Sequence, residues 1–145
     1  MRYERRSTMK HKILIADDDE NIRLPLQYAF AEHTILIAGD GLAAVSIIAA
    51  ERPSVVLLDL NMPLMGGLEV LAALEDGEDG PLVIVLTGND QIDMARKALE
   101  MGAASYITKP VDIAVIRRVV LAALAERERG KKTDDKPWRV KKDGE

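Results

Sequence analysis

The 145-residue sequence contains no cysteine, which excludes disulfide bonds, a thiolate nucleophile and any metal site built on cysteine. Aromatic residues make up only 3% of the chain, so the hydrophobic core must consist mainly of aliphatic side chains and methionine. No apolar run approaches the roughly 18 residues that a membrane-spanning helix needs. The basic start also lacks the long apolar stretch of a signal peptide. We therefore expect a cytoplasmic protein that does not enter a membrane.

Charge is distributed unevenly along the sequence. Residues 1–12 carry five Lys and Arg against one Glu, and residues 126–145 carry eight Lys and Arg against six acidic residues. The segment 13–125 therefore has a net charge of −10, from 7 basic and 17 acidic residues. A unit this acidic is poorly suited to bind nucleic acid, because phosphate contacts require Lys and Arg. It is better suited to concentrate a divalent cation.

Short apolar runs alternate with helical patterns through the middle of the chain. Strands are predicted over residues 13–16, 34–38, 55–58, 82–86 and 104–107. Helices are predicted over residues 20–32, 42–51 and 68–75, then from a cap at 89–90 to 101 and from a cap at 112 to 128. Unbroken apolar strands indicate a sheet covered on both faces. Five strand–helix units predict an α/β fold, a doubly wound parallel sheet with helices on both sides.

Several residues are expected to have structural roles only. Pro25 lies inside the first predicted helix, where it removes one backbone hydrogen bond unless it falls within the first turn. Asp19 and Glu20 are expected to begin that helix. His33 is expected to close it as a cation that suits the helix dipole. His11 precedes the first strand and has no partner evident in the sequence.

Side chains able to carry chemistry follow four of the five predicted strands. Asp17 and Asp18 follow the first strand, Asp59 the third, Thr87 the fourth, and Lys109 lies just beyond the fifth. The carboxyl ends of parallel strands meet at one edge of a sheet, so these side chains should converge. A single Asp after a strand is usually a turn residue or a helix cap. Suitable chemistry at four strand ends argues against that reading here.

Three clustered carboxylates repel one another unless a cation neutralises them. Mg²⁺ fits, because it prefers hard oxygen ligands and typically combines one or two carboxylates with waters and a phosphate oxygen. A carboxylate such as Asp59 can also attack a phosphoryl group and form an aspartyl phosphate. Lys109 and Thr87 could then contact the phosphoryl oxygens. The pattern predicts metal-assisted phosphoryl transfer.

Four motifs resemble the receiver domain of bacterial two-component response regulators, in particular the chemotaxis-regulator kind, over about residues 11–128. These motifs are ILIADDD at 13–19, DLNMPLMGG at 59–67, LTG at 86–88 and GAASYITKP at 102–110. The resemblance implies a flavodoxin-like five-stranded parallel sheet with strand order 2-1-3-4-5 and five helices. On this reading residues 1–10 are a basic N-terminal extension, 11–128 the receiver domain and 129–145 a flexible charged tail.

The resemblance also implies which residues hold the metal and the phosphoryl group. Asp59 corresponds to the phosphate acceptor. Asp18 would bind Mg²⁺ (or Mn²⁺) directly, and Asp17 would bind it directly or through a water molecule. Asp59 itself and the backbone carbonyl of Asn61 would complete the protein ligands.

Further roles implied by the resemblance concern the phosphoryl pocket and the switch. Lys109 would contact the phosphoryl group and would be joined to Pro110 by a cis peptide bond. Gly88 would leave room for the phosphoryl group. Thr87 and Tyr106 resemble a coupled switch pair, in which Thr87 moves toward the new anion and Tyr106 moves inward. Two departures from the family pattern lie outside the acid cluster: Gly66 stands where Asp is frequent, and Pro25 interrupts the first helix.

The partners implied by the resemblance are proteins. A sensor histidine kinase or a phosphotransfer protein would supply the phosphoryl group. The downstream target would bind the face made by helix 4, strand 5 and helix 5, and a homodimer is left open. Candidate residues on that face are Met94, Ala98, Met101, Tyr106, Ile116 and Val120. Such a domain is not a metabolic enzyme, because it transfers phosphate only to itself and then loses it.

Two other interpretations remain open at the level of the sequence. A Mg²⁺-dependent phosphohydrolase of the haloacid-dehalogenase kind also uses an Asp nucleophile, but that group has a second Asp where Asn61 stands here. The chain is also short for a substrate-capping domain. Alternatively, the sequence is a receiver cut from a larger DNA-binding regulator or hybrid kinase. Trp138, in the charged tail, fits either a docking residue or part of a linker.

Overall fold

The computed structural model describes residues 10–74 and 80–132 of the chain. Within these ranges the strands are β1 Lys12–Ala16, β2 Thr34–Ala38, β3 Val55–Asp59, β4 Leu82–Thr87 and β5 Ser105–Thr108. The α-helices are α1 Glu20–Ala29, α2 Gly41–Glu51, α3 Gly67–Ala73, α4 Ile92–Glu100 and α5 Ile113–Lys132. The predictions for the N-terminal extension before residue 10, most of the loop at 76–81, and the tail after 132 with Trp138 lie outside the described residues.

All neighbouring strands pair in parallel, in the order β2-β1-β3-β4-β5, which confirms the doubly wound, flavodoxin-like sheet. Alternate residues of each strand point to opposite faces, so each face builds its own aliphatic core. On one face Ile13 and Ile15 pack with side chains of α1 and α5. On the other face Leu14 and Ala16 belong to the core covered by α2, α3 and α4. The carboxyl ends of all five strands therefore lie along one edge, between the two helical layers.

Helix α1 ends at Ala29, three residues before its predicted end at Glu32. The Arg117 guanidinium from α5 donates to the carbonyl of Ala29 and to Glu32, and it lies over the ring of Phe30. Its hydrogen bond to Glu32 lowers the pKa of that carboxyl. The end of helix α1 is thus held by Arg117, which lies 85 residues further along the chain than Glu32.

At the other end of α1, Asp19 caps the helix as expected, since its Oδ1 accepts from the backbone N–H of Asn21 at 2.9 Å. Pro25 is the sixth residue of the helix, beyond the first turn, so the helix does forgo one backbone hydrogen bond.

Helices α4 and α5 also differ from their predicted bounds. Residues 89–90 were expected to cap α4, but they lie in a short 3-10 helix, Asn89–Gln91, and α4 begins at Ile92 without a side-chain cap. The tight turn forms because the N–H of Gln91 donates to the carbonyl of Gly88. Asp112 caps α5 as predicted. The helix continues past 128 to Lys132, through Arg129, Lys131 and Lys132, which favour helix, and despite Gly130, which does not.

The expectation that His33 closes helix α1 as a cation is wrong, and His11 has structural partners that the sequence did not show. His11 is only 8% exposed, and its imidazole contacts Ser54 Oγ at 3.0 Å and Glu128 Oε2 at 2.7 Å. His33 lies beyond the end of α1, where its Nδ1 accepts the backbone N–H of His11 at 3.1 Å. Burial lowers the pKa of His33, so this ring is neutral near neutral pH and does not serve as a cation at the helix end.

Within the described part of the chain, no helix is both long enough and apolar enough to cross a membrane.

Candidate functional site

The three aspartates predicted to cluster lie together at the carboxyl edge of the sheet. Asp17 and Asp18 follow β1, and Asp59 is the last residue of the adjacent strand β3. One carboxylate oxygen from each lies within 4.8 Å of the others. Asp17 and Asp59 are buried, whereas Asp18 is exposed at the mouth of the site. Solvent therefore reaches the cluster at Asp18.

Lys109 contacts both buried carboxylates of the cluster. Its Nζ lies 3.1 Å from Asp17 Oδ2 and 3.2 Å from Asp59 Oδ1. The backbone N–H of Lys109 donates to the carbonyl of Thr87 at 2.7 Å, and this contact continues the β4–β5 ladder and fixes the base of the side chain. One ammonium group thus offsets part of the charge of the two carboxylates.

The electrostatics of the site leave it in need of a further cation. Burial raises the pKa of Asp59 to about 6, with a further contribution from Asp17, against the opposing effects of the Asn61 backbone N–H and Lys109. Burial alone would lower the pKa of Lys109, but the carboxylates of Asp59 and Asp17 together raise it above its ordinary value. Three ionised carboxylates and one ammonium leave two uncompensated negative charges at this edge.

The residues present fit a hard divalent cation such as Mg²⁺. All three side chains offer carboxylate oxygens, which such a cation prefers. Asp17 Oδ1 accepts the backbone N–H of Asp19 at 2.9 Å, but the buried Asp17 Oδ2 has no aligned hydrogen-bond donor besides its ionic contact with Lys109. Because it is buried and lacks an aligned hydrogen-bond donor, Asp17 Oδ2 is a suitable metal ligand, directly or through water.

An open cavity of about 570 Å³ lies above the cluster. It is lined by Asp18, Asp19, Asp59, Asn61, Gly88, Asp90, Gln91 and Lys109. Five of the predicted site residues, Asp18, Asp59, Asn61, Gly88 and Lys109, therefore line a space large enough for a phosphoryl group, a cation and several waters.

The predicted switch and pocket residues differ in their exposure to solvent: Thr87 is buried, whereas Tyr106 and Pro110 are exposed. Thr87 is completely buried and does not line the cavity; its hydroxyl donates to the carbonyls of Gly88 and Gln91, each at 3.3 Å. Tyr106, on the neighbouring strand β5, is 40% exposed. Pro110 is exposed, and the Lys109–Pro110 peptide bond is cis, as the resemblance implied.

The predicted partner face is only partly accessible. Ala98, Ile116 and Val120 are completely buried and belong to the two cores, so they cannot contact a partner in this conformation. The half-buried Met94 and Met101 pack at the edge of a core. The exposed member of the predicted set is Tyr106.

Sequence reasoning missed two features, one in the cavity and one beside the acid cluster. The first is Asp90, which the tight turn after Gly88 brings over the cavity; a Cβ added at Gly88 would lie 2.9 Å from Asp90 Oδ1. The second is Arg23 on α1, whose Nη1 donates to the backbone carbonyl of Asp17 at 2.8 Å. Asp19 was expected only as a cap, and it also lines the cavity.

The loop between β3 and α3 is held by close backbone contacts. A Cβ at Gly41 would lie 1.9 Å from the carbonyl oxygen of Met65, and a Cβ at Gly67 would lie 2.7 Å from the carbonyl oxygen of Asp59. Glycine is therefore required at both positions for the loop that carries Asn61 to pack as it does. Gly66, which departs from the family pattern, is the residue before α3, and its N–H donates to Glu69 Oε1 in the first turn of that helix at 2.8 Å.

Comparison with known proteins places this geometry in one family. The family profile described as "Response regulator receiver domain" matches residues 13–121, which is most of the chain. The chain belongs to the response regulator receiver family. A receiver fold of known structure is closely similar: the receiver domain of AraT from Geobacillus stearothermophilus has a TM-score of 0.75 and 28% sequence identity, with 86% of this chain and 100% of that chain covered.

Curated relatives of this receiver domain differ in length. The sporulation initiation phosphotransferase F of Bacillus subtilis is 38% identical over 114 residues, which cover 77% of this chain and 92% of that protein. The regulatory protein AtoC of Escherichia coli is 35% identical over 119 residues, but these cover 81% of this chain and only 26% of that protein. Similar receiver sequences thus occur both in a protein of similar length and as part of a much longer regulator.

Proposed function

We propose that this receiver domain accepts a phosphoryl group on Asp59 from a sensor histidine kinase or a phosphotransfer protein and signals through a change of conformation. The observation that carries the proposal is the convergence of three carboxylates within 4.8 Å, with Lys109 in contact with two of them. The family supports phosphorylation-dependent signalling, and a relative at 38% identity is named a phosphotransferase. The site supports Asp59 as the acceptor.

Asp17, Asp18, Asp59 and the backbone carbonyl of Asn61 would hold Mg²⁺ (or Mn²⁺). When bound, the cation would supply positive charge that screens the carboxylates from the incoming phosphoryl group. The remaining contributions come from the chain itself. The free oxygen of the Asp59 carboxylate attacks phosphorus, a P–O bond forms, and the bond to the donor breaks, with its electron pair leaving on the donor.

Lys109 is positioned to pair with the negative charge both before transfer, on the Asp59 carboxylate, and after it, on the phosphoryl group. Its ammonium lies within 3.2 Å of the Asp59 carboxylate before transfer, so it can pair with a phosphoryl oxygen afterwards without a large displacement. Gly88 lines the cavity beside Thr87 and offers no side chain to obstruct the new group. The cavity opening above Asp59 admits the donor side chain.

The proposed switch depends on the weak anchoring of the Thr87 hydroxyl. Both of its contacts are long, at 3.3 Å, and one hydroxyl proton can serve only one of them fully. A phosphoryl group on Asp59 would offer a charged acceptor, which makes a stronger hydrogen bond than a carbonyl. Tyr106, now 40% exposed, would then move inward and change the surface of β5 that a downstream protein target, or a second copy of the chain, contacts.

The role proposed is that of a cytoplasmic protein switch, with no direct contact to nucleic acid or membrane by this domain. To test it, the chain is incubated with a small acyl phosphate and Mg²⁺. We expect one phosphoryl group per chain, in an adduct stable to acid and labile to base, and no labelling with a chelator. Rapid multiple turnover of phosphate esters would instead favour the Asp-nucleophile phosphohydrolase.

A further inference from the structure

A second cavity, of about 210 Å³, lies at the amino edge of the sheet, the edge opposite Asp59. It is lined by Lys10, His11, Lys12, Arg52, Ser54, Arg127 and Glu128. These residues come from the starts of β1 and β3, the end of α2 and the last turns of α5. The cavity therefore lies where four elements distant in sequence meet, and the phosphorylation site makes no use of it.

The charge of this cavity is opposite to that of the rest of the domain. Four cationic side chains surround it against one carboxylate, although residues 13–125 carry a net charge of −10. Lys12 pairs with Glu51 at 3.0 Å, and Arg127 donates to the carbonyl of Gly80 at 2.8 Å. The side chains of Lys10 and Arg52 have no hydrogen bond or ion pair with any described residue. Like charges that share a cavity repel, and a bound anion removes that repulsion.

Arg52 occupies a position at which the backbone favours another residue. It caps the end of α2 with φ of 51°, in the left-handed region, where glycine is the usual residue because it has no Cβ. A cation at a helix C-terminus gains from the dipole, but many positions in the last turn would provide that without strain. Arg52 instead combines a strained backbone with an exposed guanidinium beside the cavity. Backbone strain of this kind is typical of residues whose side chain has a function, such as binding a ligand.

The floor of the cavity is polar and fixed. His11 is buried and bridges Ser54 Oγ, at 3.0 Å, and Glu128 Oε2, at 2.7 Å. A carboxylate can only accept, so His11 Nε2 carries the proton and donates to Glu128. The one carboxylate of the cavity is therefore engaged at the floor by the imidazole, while the exposed cations Lys10 and Arg52 stand at its rim.

We propose that this cavity binds a phosphate-type oxyanion, either inorganic phosphate or the phosphoryl group of a small metabolite. The volume of 210 Å³ is below the roughly 300–1,000 Å³ of pockets for drug-sized ligands, so the site suits a group of oxyanion size. Arg52 and Lys10, the two cations at the rim, bind its oxygens. Because the lining joins the starts of β1 and β3 to α5, the bound anion strengthens the attachment of the end of α5 to the sheet.

The test is a titration of the full chain with sodium phosphate at constant ionic strength, without Mg²⁺, followed by residue-resolved NMR. We expect saturable shifts at the amides of His11, Arg52 and Ser54. Arg52→Gly relieves the backbone strain and removes the charge, so it should keep or raise the melting temperature and weaken phosphate binding roughly ten-fold. Arg52→Lys should restore most of the binding. Arg96→Gln, at an exposed cation on α4, is the matched control and should leave it unchanged.

Two results would overturn the proposal. The first is shifts that sodium chloride reproduces, which indicate general screening. The second is unchanged phosphate affinity in Arg52→Gly. Neither of these outcomes depends on Asp59, which can be checked separately by its labelling.

Discussion

Replacing Asp59 by Asn should make the metal-free protein more stable above pH 6. The folded domain holds this carboxylate buried beside Asp17, and burial is the larger reason that its pKa rises from 3.8 to about 6. The folded state therefore binds the Asp59 proton more tightly than the unfolded chain does. Stability then falls as pH rises through the interval between these two values, and the loss is complete above about pH 6.

The structure sets the size of the effect. A pKa raised from 3.8 to about 6 corresponds to a loss of about 3 kcal/mol in the free energy of unfolding, at about 1.4 kcal/mol for each pKa unit. Asn cannot ionise and its side-chain oxygen can still accept the N–H of Asn61, but Lys109 loses one of its two carboxylate partners. We expect a net gain of about 2 kcal/mol at pH 8, falling to below about 1 kcal/mol at pH 4.5.

The assay is urea unfolding of Asp59→Asn and the parent at pH 8 and pH 4.5, with a chelator present. Asp93→Asn is the matched control, because Asp93 on α4 has a side chain that is 99% exposed, and it should change stability by no more than about 0.5 kcal/mol. The reasoning fails if Asp59→Asn is no more stable than the parent at pH 8. It also fails if the gap between the two proteins is the same at both pH values.

Three further predictions concern the Mg²⁺ site, the packing of the β3–α3 loop against Gly41, and the contact between helices α1 and α5. Mg²⁺ should raise the free energy of unfolding of the parent by about 2.7 kcal/mol at a concentration 100-fold above its Kd, and Asp18→Asn should remove most of that gain. Gly41→Ala should destabilise the domain by at least about 2 kcal/mol in urea unfolding, because its Cβ would lie 1.9 Å from the carbonyl oxygen of Met65. Arg117→Ala should lower stability by about 1–2 kcal/mol, since it frees the carbonyl of Ala29 and the Glu32 carboxylate.

Each of these three predictions has a control of similar chemistry. Asn in place of the exposed Asp93 should not alter the Mg²⁺ response. Gly39→Ala should be nearly neutral, since the nearest atom to its Cβ is Arg23 Nη1 at 3.9 Å. Arg118→Ala removes an exposed neighbour of Arg117 and should have little effect. Equal losses in a variant and its control would show that the named contact is not the cause.

The fold and the acid cluster could be read from local patterns. The end of a buried strand is visible in the sequence as the point where an apolar run stops, and a parallel sheet brings all such points to one edge. Asp17 and Asp59 are therefore predictable neighbours, although 42 positions separate them in the chain. The cap at Asp112 was also predictable, since it needs only the residues that follow it.

What the sequence could not show depends on contacts between distant segments. The partners of His11 lie 43 and 117 residues away, and no local pattern connects Ser54 or Glu128 to it. The end of helix α1 is bound by Arg117, which belongs to another element and lies 85 residues from Glu32. Asp90 reaches the cavity because the chain forms a 3-10 turn after Gly88 where a regular helix cap was predicted.

The most direct test of the central claim is to locate the phosphoryl group by peptide mapping after labelling with a small acyl phosphate and Mg²⁺. A carboxylate nucleophile at the end of β3 predicts that the label lies on Asp59 and is absent from Asp59→Asn. Label on His11, on His33 or on another aspartate in the parent, or undiminished label in Asp59→Asn, would contradict it.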